Sequence, residues 1–330
     1  MSAPWLSIIL PVYGVESYVL DCAESILAQA DNGVELIFVD DASPDGSAAL
    51  IETLQARHPR LQLLRHERNL GLSGARNTGL SAASGDYVWC IDPDDLLEPG
   101  TLPRLRQLLA QQRPDLLTCD FRSFDDGGST ESRPRYAHIQ TFTAPRPAYA
   151  EPREQLLGGL FAAGQFHAWT KIVRRAAWPD TLRFPLGRAF EDLCLVPRLA
   201  LQMHSHLHVD EVWIAYRQRP GSILSTLNAC KLDDWMAALV DFPADTAAAG
   251  LQLSARARFQ IAHFCARSFV RICKRRAKLS EDGLLDALRR YGQQFRAGSP
   301  LAPQALLLAY LRRGRWLRAL QLAWWLFKAR

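Results

Sequence analysis

The stretch Tyr87-Val88-Trp89-Cys90-Ile91-Asp92-Pro93-Asp94-Asp95 constrains the fold of this chain more than any other. An apolar run leads straight into three carboxylates within four positions. The apolar part, bounded by Gly85-Asp86 and by Pro93, predicts a short buried strand. A parallel α/β sheet binds its ligands just past the carboxyl ends of its strands, so these acids would emerge at the rim of a cleft. Asp92 and Asp94 lie two apart and point to the same side of extended backbone. Such a cluster repels itself unless positive charge joins it, and a divalent metal carrying phosphates is one candidate. The other reading is a solvated turn that caps a helix near Pro99.

The segments around it support an α/β reading. Strands are predicted at Trp5 to Leu10, with Pro11-Val12-Tyr13-Gly14 turning away, at Val34 to Val39, at Leu61 to Leu64 and at Asp115 to Arg122. Helical spacing separates them at Ser17 to Gln29, Asp45 to Ala56 and Thr101 to Gln111, with Ser17 a plausible N-cap. Strands alternating with helices of this length give a doubly wound, mostly parallel sheet. The pattern changes after residue 123. Asp125-Asp126-Gly127-Gly128 suggests a hairpin with a return strand at Tyr136 to Phe142, and 144–152 is proline-rich. Further on, Glu154 to Ala163 suggests a helix, and His167 to Val173 and His206 to Tyr216 suggest strands. Everything from Asp233 looks helical.

Length and composition set the outer limits. A chain of 330 residues with 48% hydrophobic and 22% charged content can bury a large core plus a smaller unit. The seven cysteines show no metal-ligand spacing and read as reduced core residues of a cytoplasmic protein. No apolar run is long enough to span a bilayer. The net charge of +5 hides an asymmetry: residues 251–330 hold 17 Lys/Arg against 3 acids, leaving 22 against 31 elsewhere. No nucleic-acid recognition motif accompanies that charge.

Several positions can carry chemistry. Asp40-Asp41-Ala42-Ser43 ends the second strand and can accept from a nucleoside, or cap the next helix. Tyr13 can lie against a base. Gly71-Leu72-Ser73-Gly74-Ala75-Arg76 resembles a phosphate loop entering a helix, although it matches neither a Walker nor a dinucleotide fingerprint. Glu191-Asp192 opens a helix after Phe190, where a carboxylate stays ionised and can serve as a general base or as a cap. Trp169-Thr170-Lys171 and the turn around Arg219 and Ser222 can clamp phosphates or a sugar; the alternatives are a core tryptophan and solvated arginines. His204, His206 and His208 alternate as strand residues and read as structural.

Taken in order, Ser7-Ile8-Ile9-Leu10-Pro11-Val12-Tyr13, Val39-Asp40-Asp41-Ala42-Ser43-Pro44-Asp45-Gly46-Ser47, Asn69 to Gly79, Gly85-Asp86-Tyr87 and Asp92-x-Asp94-Asp95 resemble the family 2 glycosyltransferases. Trp169-x-Lys171, Glu191-Asp192 and Arg219-Pro220-Gly221-Ser222-Ile223 extend the resemblance, which covers residues 5–225. It implies the GT-A fold, with a nucleotide-binding half over 1–122 and an acceptor half over 123–225, followed by a basic helical region over 226–330. It further implies inverting transfer of a sugar from a nucleotide diphosphate, UDP first, to an acceptor hydroxyl on a lipid-linked or cell-surface glycan. Pro11, Tyr13 and Asp41 would hold the nucleoside with Asp40 nearby, Arg76 would place base or phosphates, and Asp92 would face the ribose. Asp94 would coordinate Mn²⁺ or Mg²⁺, and Asp192, with Glu191 beside it, would deprotonate the acceptor. Gly14 stands where the family commonly has Asn, and Pro93 where it has a small residue. The Gln-x-x-Arg-Trp motif of processive synthases is absent, which points to addition of a single sugar. An inactive nucleotide-sugar-binding scaffold and a nucleotidyltransferase are the competing classes; the latter lacks its basic N-terminal loop here.

The tail has its own pattern. Arg267, Arg271, Lys274 and Lys278 share one helical stripe, and Leu317, Leu320, Trp324 and Phe327 form an apolar one near Arg312, Arg313, Arg315, Arg318, Lys328 and Arg330. A basic amphipathic helix with Trp suits the inner face of a membrane; the alternative is packing on the core or on a second subunit of a homo-oligomer.

Overall fold

The computed structural model describes residues 3–126, 136–143, 152–219, 227–279 and 283–330. They fall into two compact units. The first comprises Met1–Phe142, Phe166–Gly187 and Gln202–Pro220; the second comprises Thr143–Gln165, Arg188–Leu201 and Gly221–Arg330. The division therefore differs from a cut at residue 225: 143–165 and 188–201 cluster with the later helices. The apolar face of the first of these explains why. Leu156, Leu157, Leu160 and Phe161 are buried, and the Phe161 ring lies 5.4 Å from Phe242 and 5.5 Å from Phe264.

The first unit is built on one sheet. Its strands are β1 (Leu6–Val12), β2 (Val34–Asp40), β3 (Leu61–Arg65), β4 (Tyr87–Cys90), β5 (Leu96–Leu97), β6 (Leu116–Asp125), β7 (Tyr136–Ile139), β8 (Lys171–Arg174) and β9 (His206–Gln218). The order is β3-β2-β1-β4-β8-β6-β9-β5, with β7 on β6. The run β3-β2-β1-β4 is parallel throughout, as the alternation of strands and helices predicts. Beyond β4 the sheet is mixed. β8 inserts antiparallel between β4 and β6, while β6 and β9 pair parallel.

Helices α1 (Val19–Leu27), α2 (Ser47–Gln55), α3 (Gly71–Ala82) and α4 (Thr101–Gln112) cover this sheet. Every residue of β1 and β2 is buried. That is the signature of a strand covered on both faces, and it explains their mostly apolar runs, interrupted only where Ser7 Oγ donates to Glu35 and at Asp40. Leu6, Ile8, Leu10 and Val12 join one core with Val19, Cys22 and Ile26 of α1, Ile51 and Leu54 of α2, and Leu102 and Leu105 of α4. Ile9 faces the other way, toward α3.

Local chemistry corrects several expected boundaries. Pro11 lies within β1, in register with Val39 of β2. The Ile9 carbonyl accepts from Ile91, so Pro11, two residues on, turns its nitrogen to the β4 side. The β4 ladder has ended there, and the missing N–H costs nothing. Ser17 is not a cap: α1 starts at Val19, with Ser47 Oγ accepting from the Val15 N–H instead. Gly14 has φ +63°, a region open to Gly and Asn, so it serves the turn that Asn commonly makes. Tryptophan 169 precedes rather than joins β8, in a single 3₁₀ turn, Ala168–Thr170.

The second unit is helical: α5 (Pro152–Ala163), α6 (Glu191–Ala200), α7 (Ala229–Ala237), α8 (Phe242–Ala248), α9 (Ala255–Arg276), α10 (Leu284–Gly298), α11 (Pro303–Arg312) and α12 (Trp316–Lys328). The long α9 is capped by Ser254, whose Oγ accepts from the Ala257 N–H, and it buries Phe259, Ile261, Phe264, Phe269 and Ile272. Among the described residues no helix is long and apolar enough to cross a membrane.

Close approach of α3 to β1 depends on Gly79. A Cβ there would sit 2.4 Å from Ile9 Cγ2, a β-branched side chain fixed in the core. Gly79→Ala is expected to cost about 1–3 kcal/mol by overpacking, read as a lowered urea midpoint with unchanged m-value.

Candidate active site

The chain runs from β1 outward to β2 and β3, then returns to place β4 on the opposite side of β1. That reversal is the topological switch point, where a crevice opens beyond the strand ends. The carboxyl ends of β1, β2 and β4 bring Pro11 to Tyr13, Asp40-Asp41 and Asp92 to Asp95 to this edge. Pro11 is buried, while Tyr13 is 53% exposed.

Asp92 to Asp95 form a tight turn in which the Asp95 N–H donates to the Asp92 carbonyl at 3.1 Å. Arg76, reaching from α3 with its own side chain buried, donates from Nη2 to Asp92 Oδ1 at 2.8 Å. Its guanidinium lies 5.2 Å from the centre of the Phe184 ring. Arg219, just past β9, donates from Nε to Asp94 Oδ2 at 2.6 Å. Arg217 braces the turn backbone, donating from Nε to the Asp94 carbonyl at 2.8 Å and from its N–H to Asp95 Oδ1 at 2.9 Å. Tyr18 and Phe124 flank that guanidinium at 5.0 and 4.8 Å.

Crowding leaves an electrostatic imprint. Burial and then Asp92 raise the pKa of Asp94, against the opposing pull of Arg219. Asp95 is fully buried, and burial followed by its two carboxylate neighbours raises its pKa well above the ordinary range. Its Oδ2 is buried and meets no donor among the described residues. The same acids, after burial, push Tyr216 up to about 12. Asp92 and Asp94 offer oxygen donors of the kind a hard divalent cation takes, and each is held by an arginine in this structure.

Asp41 is used differently from the expectation. It is 2% exposed and accepts from the Leu70 N–H at 2.8 Å, the Gly71 N–H at 2.8 Å and His66 Nδ1 at 2.6 Å. His66 Nε2 bonds Thr78 Oγ1 at 2.8 Å, closing a link from β2 through β3 to α3. The glycine-rich segment is therefore the first turn of α3 and not a loop before it. Its leading N–H groups hold an internal carboxylate where a phosphate was expected. Asp40 is also buried, with Oδ1 accepting from the Ser43 N–H at 3.1 Å.

Trp169 and Lys171, expected to touch a ligand, are instead buried at 3% and 4% exposure. Trp169 stacks between His167 at 4.6 Å and Tyr216 at 5.6 Å, with Phe121 edge-on, and its carbonyl accepts from Trp89 Nε1. Lys171 Nζ donates to the His167 carbonyl at 3.4 Å and to Thr170 Oγ1. The nonpolar stack and the local carbonyl take up the two groups that were read as a clamp. Ser222 lies outside the described residues.

Glu191 and Asp192 belong to the second unit, in the first turn of α6. Glu191 is buried and Asp192 half-buried. The turn is set by Phe190, a non-glycine residue at φ +59° that stacks on Trp235 at 4.7 Å. Such left-handed backbone costs about 1–2 kcal/mol and persists because its surroundings impose it. Just before it, the Ala189 N–H donates to Asp234 Oδ2 at 2.9 Å.

A second donor group was not expected. Asp120, His208 and Asp210 present ligand-type atoms within 4.8 Å of one another in mid-sheet, although the histidines of β9 read as structural. The register shifts beside Asp120 where β6 meets β9, and this places Asp210 there. His138 Nε2 contacts Asp120 Oδ2 at 2.7 Å and the Thr141 N–H donates to Oδ1, so the buried carboxylate is satisfied internally. The spacing His208-x-Asp210 was the available signal.

The model of glycosyl transferase family 2 matches residues 7–171, half of the chain. The chain belongs to glycosyl transferase family 2. It is a glycosyltransferase of mixed α/β, GT-A-like fold. Among its relatives, glycosyltransferase GlyA of Streptococcus pneumoniae is 29% identical over 72% of this chain and 33% of its own length. GlyG of the same organism is 27% identical over 67% of this chain and 73% of its own. The chain thus spans about a third of one relative and about three-quarters of the other. In fold it resembles S. aureus TarS 1-349, solved in complex with UDP-GlcNAc, at a TM-score of 0.69, with 21% identity over 95% of this chain and 89% of that one.

Asp41→Ala in this glycosyltransferase is expected to cost about 3 kcal/mol or more, because two amides and a histidine lose their buried acceptor. Chemical denaturation distinguishes this from a purely ligand-contacting role, which would leave stability within about 0.5 kcal/mol. His206 gives a pH-dependent counterpart. Its ring packs 4.5 Å from Phe142, its Nε2 is buried and meets no hydrogen-bond partner among the described residues, and burial lowers its pKa to about 4. The unfolded chain protonates it near its ordinary pKa of about 6.5, so stability present above that pH is lost as pH falls toward the folded value. In His206→Phe the drop in Tm between neutral and acid pH is expected to shrink.

Proposed function

We propose that the chain is an inverting, metal-dependent, non-processive glycosyltransferase that moves one sugar from a nucleotide diphosphate to an acceptor hydroxyl. The observation that carries this reading is the Asp92 to Asp95 turn at the switch point, with Arg76 on one acid and Arg219 on another. UDP is the donor nucleotide of choice; the similarly folded TarS has been solved with UDP-GlcNAc. Tyr13 and Pro11 flank the nucleoside, Asp92 receives the ribose hydroxyls, and Asp40 and Asp41 support that edge from behind. Asp94 holds Mn²⁺ or Mg²⁺, which when bound neutralises diphosphate charge. Arg76 and Arg219, released from pure carboxylate pairing, stabilise the departing phosphates.

In the transfer, an acceptor oxygen forms a bond to the anomeric carbon from the face opposite the diphosphate. The bond to the diphosphate breaks, and its electron pair leaves with the nucleoside diphosphate. Asp192 takes the acceptor proton, and buried Glu191 helps fix the turn that carries it. The acceptor is a lipid-linked or cell-surface glycan, met in the cytoplasm at the inner face of a membrane.

The test is a thermal-shift series with UDP, GDP, CDP and dTDP, with and without Mn²⁺. One nucleotide is expected to raise Tm in a metal-dependent way, and Asp94→Ala to abolish the metal dependence. No shift with any nucleotide on folded protein overturns the donor assignment. Asp192→Asn is expected to lower kcat by at least about 100-fold while keeping the nucleotide shift. Unchanged turnover removes Asp192 from the base role.

A further inference from the structure

The end of the second unit leaves an apolar stripe in water. On α12, Ala319, Leu322 and Leu326 pack inward, while Leu317, Leu320, Trp324 and Phe327 are 76%, 67%, 56% and 63% exposed. Their spacing of three, four and three residues places them on one helix face. Trp316 adds a further side chain, 62% exposed, and Leu308 and Leu311 of α11 are 53% and 37% exposed. Scattered exposed apolar residues need no explanation, whereas a continuous stripe calls for a partner.

Charge identifies the partner. After Asp286 the sequence contains no acid, and it carries nine Lys or Arg residues. Arg312, Arg313, Arg315, Arg318, Lys328 and Arg330 are all exposed around the stripe. Lys328 Nζ lies 5.1 Å from the Trp324 ring centre, and the Arg330 guanidinium lies 6.0 Å from that of Phe327. A second copy of this chain docked by the same face would set one predominantly basic surface against another and add repulsion to the contact. An anionic bilayer offers acyl chains for the stripe and phosphates for the cations beside it.

We infer that α12 is a membrane-docking helix, lying in the plane of an anionic phospholipid surface with Leu317, Leu320, Trp324 and Phe327 inserted at the headgroup boundary. The inference deepens the membrane placement proposed above and is independent of the donor site. Arg312, Arg318, Lys328 and Arg330 contact lipid phosphates, while Ala319, Leu322 and Leu326 keep the helix anchored to its own unit.

The test is co-sedimentation of the full chain with phosphatidylcholine vesicles and with vesicles containing phosphatidylglycerol. Binding to the anionic vesicles only, weakened by salt, is expected. Leu317→Ser with Trp324→Ser is expected to lower that partitioning at least tenfold. Arg312→Glu with Lys328→Glu is expected to lower it as well, which keeps the test open if the first pair disturbs folding. The nucleotide thermal shift, measured on the same variants, stays unchanged if only docking is lost. No binding to anionic vesicles, or binding indifferent to both pairs, overturns the inference. A concentration-dependent dimer that the first pair abolishes, without vesicle binding, also overturns it and gives the face to a second copy.

Discussion

The site rests on holding like charges together. Asp92, Asp94 and Asp95 stand in one turn, and Asp95 is wholly out of water. Unpaired, such an arrangement would be expelled or protonated. Three cations from remote parts of the chain oppose it, Arg76 from α3 and Arg217 and Arg219 at the end of β9. Because α3 reaches β4 only by lying close on β1, packing at Gly79 and electrostatics at Asp92 form one problem. The strain is not fully relieved, as the orphaned Asp95 Oδ2 shows. A folded protein that retains such a group has kept it for a purpose other than stability.

Charge is also segregated at the scale of the two units. The acid-rich turn lies in the sheet unit, whereas the acid-free final segment lies in the helical one. In the sheet unit Arg76 and Arg219 are held by carboxylates of the turn. In the last helices the cations face water beside aromatic rings. The same residue types therefore do different work: one set pairs with the acidic turn, and the other presents an exposed cationic surface.

Much of this was legible because parallel strands buried on both faces write themselves as mostly apolar runs, as in β1, β2 and β4. The acids after β2 and β4 could be placed at one edge of the sheet from the strand pattern alone. The sequence could not show where those acids point. Asp40 and Asp41 are neighbours with similar chemistry, yet Asp41 is drawn inward by amides of α3 that lie 29 and 30 residues away. The burial of Trp169 and Lys171 was hidden for a related reason: the sequence offers a clamp and a core tryptophan equally, and the stack of His167 and Tyr216 forms only in the tertiary structure. The insertion of β8 between β4 and β6 had no local signal, since strand order is decided by tertiary pairing. The helical assignment of α6 was visible at once, but its membership in the second unit was not.

Phe190 carries a consequence for how this sequence can drift. Its backbone favours glycine or asparagine, whereas its stack on Trp235 demands a flat ring. A small residue would relax the turn and surrender the stack; a β-branched residue would satisfy neither. Histidine and tyrosine are the substitutes that meet both demands in part, histidine being the more tolerant of left-handed backbone. The entrance to α6 is thus a narrow passage in sequence space. Descendants of this chain can pass through it only by exchanging one ring for another, or by changing Trp235 at the same time.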